Sequence, residues 1–200
     1  MSTQAKLIAF ILAFATITVA QQPKTVEGYI QSGIAFQRAG KHQEAIQDFA
    51  AALKLEPGNF VAQYGSGLSY MFLEKWDDAA AAFKAALILK PNEPFVQLAL
   101  AKAYSAGGRN SEALNTLKKA VTLDPRFVEA HRTLAIVYAR LGQTDEAVEG
   151  LTEAAQLRPN DADLLFELGS LHLEGPLHVC LCRKQVFMYS KAFSGFIKES

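Results

Sequence analysis

From residue 26 onward, the hydrophobic and polar positions of this chain repeat every 34 residues. Four prolines, Pro57, Pro91, Pro125 and Pro159, mark the period, in the similar settings LKLEPGN, LILKPNE, VTLDPRF and AQLRPND. Twelve residues before each proline stands an alanine (Ala45, Ala79, Ala113, Ala147), and five before it another (Ala52, Ala86, Ala120, Ala154). Eight before it is a large apolar residue: Phe49, Phe83, Leu117 and Leu151. Twenty-one before it is an aromatic: Phe36, Tyr70, Tyr104 and Tyr138. Twenty-four before it is a tiny residue: Gly33, Gly67, Ala101 and Ala135.

The columns predict two helices per repeat. Large and tiny residues recur at steps of three and four, the spacing of one helical face. Tiny residues let two helix backbones approach closely, and large ones fill the space between. Seventeen residues before each proline, Gly40, Gly108 and Gly142 supply the left-handed conformation that ends a helix, with Glu74 as the exception in that column. Each proline stops the second helix, because the residue before it is pushed out of helical geometry. Asn59 and Asp161 are then placed to cap the helix that follows.

The same register decides the stretch YGSGLSYMFL, residues 64–73, whose Gly-x-Gly resembles the start of a phosphate-cradling loop. It lacks a third glycine in step and a following Gly-Lys-Ser/Thr. Gly67 falls instead in the tiny packing column.

The pattern resembles the tetratricopeptide repeat, a 34-residue helix-turn-helix unit. The resemblance covers four full repeats, 26–59, 60–93, 94–127 and 128–161, and a partial fifth at 162–174. It implies an all-α, right-handed solenoid in which neighbours stack because no repeat buries its apolar face alone. It implies a non-catalytic scaffold or adaptor that binds a protein or peptide partner in a concave groove lined by the first helices. Carried over by register, the groove positions include Ile30, Ile34, Tyr64, Leu68, Met71, Phe72, Phe95, Leu98, Lys102, Arg132, Ile136 and Arg140. This set has an apolar floor and a charged end, which suits an amphipathic helix or an extended apolar segment. Ile30, Ile34 and Gly65 stand where a clamp for a peptide's terminal carboxylate needs Lys and Asn, so such a clamp is not expected.

Composition adds three limits. The 200 residues carry formal net charge +0, which gives no electrostatic reason to expect nucleic acid as a partner. His42 follows the Gly40 turn as a solvated polar residue, and neither it nor His131 has a His or carboxylate at metal-pair spacing, so neither a metal site nor a cofactor is expected. The carboxylates Asp77, Asp78, Asp145 and Glu146 lie near starts of second helices, where they suit the helix dipole.

The two ends fall outside the repeat. LIAFILAFATITVA, residues 7–20, is uncharged, follows a lysine and ends in small residues, the pattern of a cleaved export signal. Residues 1–20 are read as that signal and 21–25 as a linker, which implies a periplasmic or secreted protein. The alternative is a membrane anchor retained through an uncleaved signal. Both cysteines, Cys180 and Cys182, lie in the divergent tail 175–200 with His178, and the basic residues Arg183, Lys184, Lys191 and Lys198 face only Glu199 there. Three alternatives stay open for that tail: a metal or redox role of its Cys-x-Cys, a membrane- or groove-contacting helix, or the end of a truncated reading of a longer array whose activity lies elsewhere.

Overall fold

The structure is a computed structural model and describes residues 25–174. The expectations for the signal, the cysteines and the tail lie outside these residues. Within them the chain is all-helical and runs as consecutive helix-turn-helix pairs. First helices are α1 (Val26–Arg38), α3 (Phe60–Phe72), α5 (Pro94–Ala106), α7 (Val128–Arg140) and α9 (Ala162–Glu174). Second helices are α2 (His42–Leu55), α4 (Trp76–Leu89), α6 (Asn110–Leu123) and α8 (Thr144–Leu157). The described residues divide into two compact units between Leu89 and Lys90, so that α1–α4 belong to the first and α5–α9 to the second.

Local chemistry sets the helix ends. Thr25 Oγ1 accepts the Gly28 N–H at 3.1 Å, Asn59 Oδ1 the Ala62 N–H at 3.0 Å, and Asp161 Oδ1 the Leu164 N–H at 3.3 Å. Each accepts one of the donors that a helix start leaves without an intrahelical partner. Proline at the first position of α5 loses no helical bond there. Asp77 and Asp78 lie in the first turn of α4, and Asp145 and Glu146 in that of α8, at the positive end of each helix dipole.

The first four first helices all end alike. Lys41, Lys75, Arg109 and Gln143 each donate a backbone N–H to the carbonyl of the aromatic column, Phe36, Tyr70, Tyr104 and Tyr138, at 2.8–2.9 Å. The residue before each donor is left-handed: Gly40, Gly108 and Gly142 at φ 72°, 78° and 74°, and Glu74 at φ 57°. Glu74 therefore makes the same turn as the glycines, at a conformational cost of about 1–2 kcal/mol for an L-residue.

Packing within each hairpin rests on one large side chain. The two alanine columns are fully buried, and so are Phe49, Phe83 and Leu117, with Leu151 nearly so. In the first unit Ile30, Ala45, Phe49, Ala52 and Ala62 form one core cluster. In the second, Val128, Ala135, Leu151, Ala154, Leu164 and Leu168 form another. The fit around the phenylalanines leaves no room for a methyl group: a Cβ built on Gly33 would stand 2.8 Å from the Phe49 ring, and one on Gly67 2.5 Å from the Phe83 ring. Where the large residue shrinks to Leu117 or Leu151, the tiny one grows to Ala101 or Ala135. Volume is thus conserved from hairpin to hairpin, as a close-packed interior requires.

This complementarity gives a test. Gly67→Ala overpacks against Phe83 and is expected to cost about 1–3 kcal/mol. Adding Phe83→Leu reproduces the pairing of the later repeats and recovers part of the loss, with a coupling of about 1 kcal/mol or more. Urea denaturation of the two single variants and the double variant checks this; strictly additive effects would contradict it.

Candidate protein-binding surface

On α3 the residues Val61, Tyr64, Leu68, Met71 and Phe72 fall within an arc of about 100° at 3.6 residues per turn. Phe72 is 71% exposed and Val61 45%, whereas Tyr64, Leu68 and Met71 are half-buried. The surface is built from below by ring contacts. Tyr64 stacks on Phe60, 6.2 Å between centroids, and tilts against Phe83 at 5.7 Å. Its burial raises the phenol pKa above its ordinary value. Phe72 lies parallel to the imidazole of His42 at 4.3 Å. His42 is therefore half-buried under a ring rather than a solvated residue at a helix start.

A polar strap joins the two first helices of this unit. The Gln37 side-chain amide donates to the Gly65 carbonyl and to Ser69 Oγ, both at 2.8 Å. Ser69 is fully buried, so these bonds satisfy a group that would otherwise be costly to desolvate.

Two residues assigned to the groove by register belong elsewhere. Ile30 is 5% exposed and sits in the core cluster with Phe49, and Leu98 on α5 is 7% exposed. Ile34 is half-buried and packs on the same cluster as Ile30. A first helix presents several apolar columns, and register alone does not separate those that meet a neighbour from those that meet solvent.

The second unit differs in chemistry. Lys102 Nζ donates to Glu129 Oε1 at 2.8 Å. Arg132 holds Glu167 through two bonds, one of them from Nε at 3.0 Å. That hydrogen bond raises the Arg132 guanidinium pKa above its already high ordinary value. Arg140 Nη1 donates to Ser105 Oγ at 2.6 Å and to the Ser105 carbonyl at 3.3 Å. The charged end is thus largely neutralised within the chain: two of its three cations already hold carboxylates. Phe95 and Ile136 are 39% and 40% exposed, and Phe166 on α9 is 78% exposed. Phe166 stands 34 residues beyond Arg132, so extending the register one repeat further locates it as an additional surface residue.

His131 is buried, with Nε2 3.0 Å from the Pro125 carbonyl and Nδ1 2.8 Å from Glu153 Oε2. Glu153 reaches it from the facing helix, a pairing that spacing along one helix does not reveal. Among the described residues no group of three His, Cys, Asp or Glu is placed to hold a metal ion.

Comparison with known proteins fits this geometry. Models of the tetratricopeptide repeat family match residues 30–94, 73–120 and 128–171, and a TPR repeat model matches 101–142. The chain carries tetratricopeptide repeats from residue 30 to residue 171, and such repeats typically act as interaction modules. Among solved structures it is similar to MamA from Desulfovibrio magneticus RS-1, with 24% identity, a TM-score of 0.68, and coverage of 81% of this chain and 99% of that one. It is similar to TTC0263, a thermophilic TPR protein of Thermus thermophilus, at 25% identity and TM-score 0.60, covering 74% and 82%. It is also similar to YrrB, a TPR protein with an unusual peptide-binding site, at 22% identity and TM-score 0.65, covering 79% and 81%. No curated protein matches the chain in sequence.

Burial separates the roles of these residues. Ile30→Ala and Leu98→Ala are each expected to lower stability by about 2–5 kcal/mol, as core truncations do. Phe72→Ala removes the stack on His42 and is expected to cost no more than about 1.5 kcal/mol. Thermal melts of the three variants check the assignment, and equal losses at all three would contradict it.

Proposed function

We propose that this protein is a non-catalytic scaffold that binds a partner protein through the apolar surface of α3, outside the cytoplasm. The observation that carries the proposal is the stripe from Val61 to Phe72. It exposes two large apolar side chains above a floor of Tyr64, Leu68 and Met71, on a helix held by ring contacts and the Gln37 strap. An exposed apolar patch on rigid helices marks an interaction site. Its chemistry selects the apolar face of an amphipathic helix or an extended apolar segment. YrrB, a structure of the same fold, has a peptide-binding site. The second unit has exposed apolar side chains of its own, Phe95, Ile136 and Phe166, and a cation, Arg140, that forms no ion pair among the described residues. Export rests on the uncharged run 7–20 and its flanks.

Partner capture from the exported fraction tests the proposal, comparing the native chain with a Val61→Glu/Phe72→Glu variant. Both positions are exposed, so the variant is expected to stay folded while losing the captured protein by about tenfold or more, the loss expected when a buried apolar anchor is replaced by a charge. Capture unchanged by the two charges would overturn the surface assignment. Recovery of the chain only from the cytoplasm, with residues 1–20 intact, would overturn the location.

A further inference from the structure

The opposite face of α3 lines a cavity that the proposed binding surface does not use. Gln63, Ser66 and Tyr70 recur at steps of three and four and lie roughly 150° around the helix from the Tyr64–Leu68 stripe. Together with residues of α2 and α4 they enclose about 310 Å³ that opens to solvent. The walls are aliphatic: Ile46 and Leu53 from α2, and Ala81 and Ala82 from α4. Volume exists here because alanines occupy the α4 side.

Four polar side chains interrupt the walls: Gln63, Ser66, Tyr70 and Asp78. Ser66 is more than nine-tenths buried and lines the cavity. Asp78 is exposed and forms no ion pair among the described residues, and no Lys, Arg or His lines the cavity. The groove is open and apolar-walled, with one carboxylate and three neutral polar side chains in its lining, a form that suits a single long side chain better than a whole small molecule.

We infer that this cavity is a second recognition site, which takes the side chain of a lysine from a partner segment lying across α2 and α4. The aliphatic stem would lie against Ile46, Leu53 and the alanines. The ammonium has three donors and no acceptor, which suits the acceptors here: the Asp78 carboxylate, the Gln63 carbonyl and the Ser66 and Tyr70 oxygens. The site is independent of the apolar stripe, since its residues occupy the other face of α3.

The test is an NMR titration of the full chain with N-acetyl-lysine-N-methylamide, using the norleucine analogue as a neutral control of similar shape. The lysine probe is expected to shift the amides of Ser66, Tyr70 and Asp78 saturably, and to bind about fivefold or more tightly than the norleucine probe, the scale of a partly exposed charge-assisted contact. Asp78→Asn, at an exposed position, should remove that preference while leaving the spectrum folded. Ala81→Leu, also exposed, should abolish binding by filling the space. Equal binding of both probes, persistence of the preference in Asp78→Asn, or shifts confined to Tyr64, Leu68 and Phe72 would each overturn the inference. The Val61→Glu/Phe72→Glu variant should bind the lysine probe normally, so failure of the apolar surface and failure of this site are distinguishable.

Discussion

Each hairpin of this protein depends on the fit between a large side chain on its second helix and a tiny one on its first. Phe49 is the clearest case. It is fully buried, and a Cβ added at Gly33 on α1 or at Gly65 on α3 would come within 2.8 Å of its ring. One side chain therefore sets the distance from α2 to both first helices of its unit. Van der Waals attraction at such contacts is small per atom pair and large in sum. It is also intolerant of change, which accounts for the coordinated exchange of Gly with Phe for Ala with Leu between early and late repeats.

That constraint shapes function by what it leaves free. Because the first helices of the first unit are positioned by Phe49 and Phe83 from behind, the exposed members of the Val61–Phe72 stripe of α3 need not contribute to the core. They can be aromatic at little cost in stability. The reverse face of α3 is committed to the second helices, and alanines there leave a cavity instead of a filled contact. In the second unit the corresponding first helices use charge. Lys102 with Glu129 and Arg132 with Glu167 are partly exposed pairs whose net stabilisation is about 0–1 kcal/mol each in general. Their effect lies more in fixing which side chains face outward than in holding the unit together.

Much of this is legible in the residues. The 34-residue columns identify the helices, the turns and the buried alanines, because each column carries one physical requirement repeated in every copy. Glu74 departs from its column in residue type, yet the turn it makes matches the glycine turns, since the backbone bonds around it outweigh its conformational cost. The surface is less legible. Register groups Ile30 and Leu98 with Tyr64 and Arg132 in one column, but burial depends on what packs beside each repeat, and no column records that. Cross-helix partners such as Lys102 and Glu129, Arg140 and Ser105, or His131 and Glu153 are invisible for the same reason. The first two pairs lie 27 and 35 residues apart, close to one repeat, so adjacency of first helices hints at them without naming the partners.

The most direct measurement of this account is the unfolding of the full chain carrying Phe49→Ala, followed by chemical denaturation and by amide hydrogen exchange. If one ring spaces three helices, the variant loses about 3–5 kcal/mol, and the amides of α1, α2 and α3 exchange faster together. A loss below about 0.5 kcal/mol, the scale of an ordinary surface change, with exchange altered only in α2, would contradict the account.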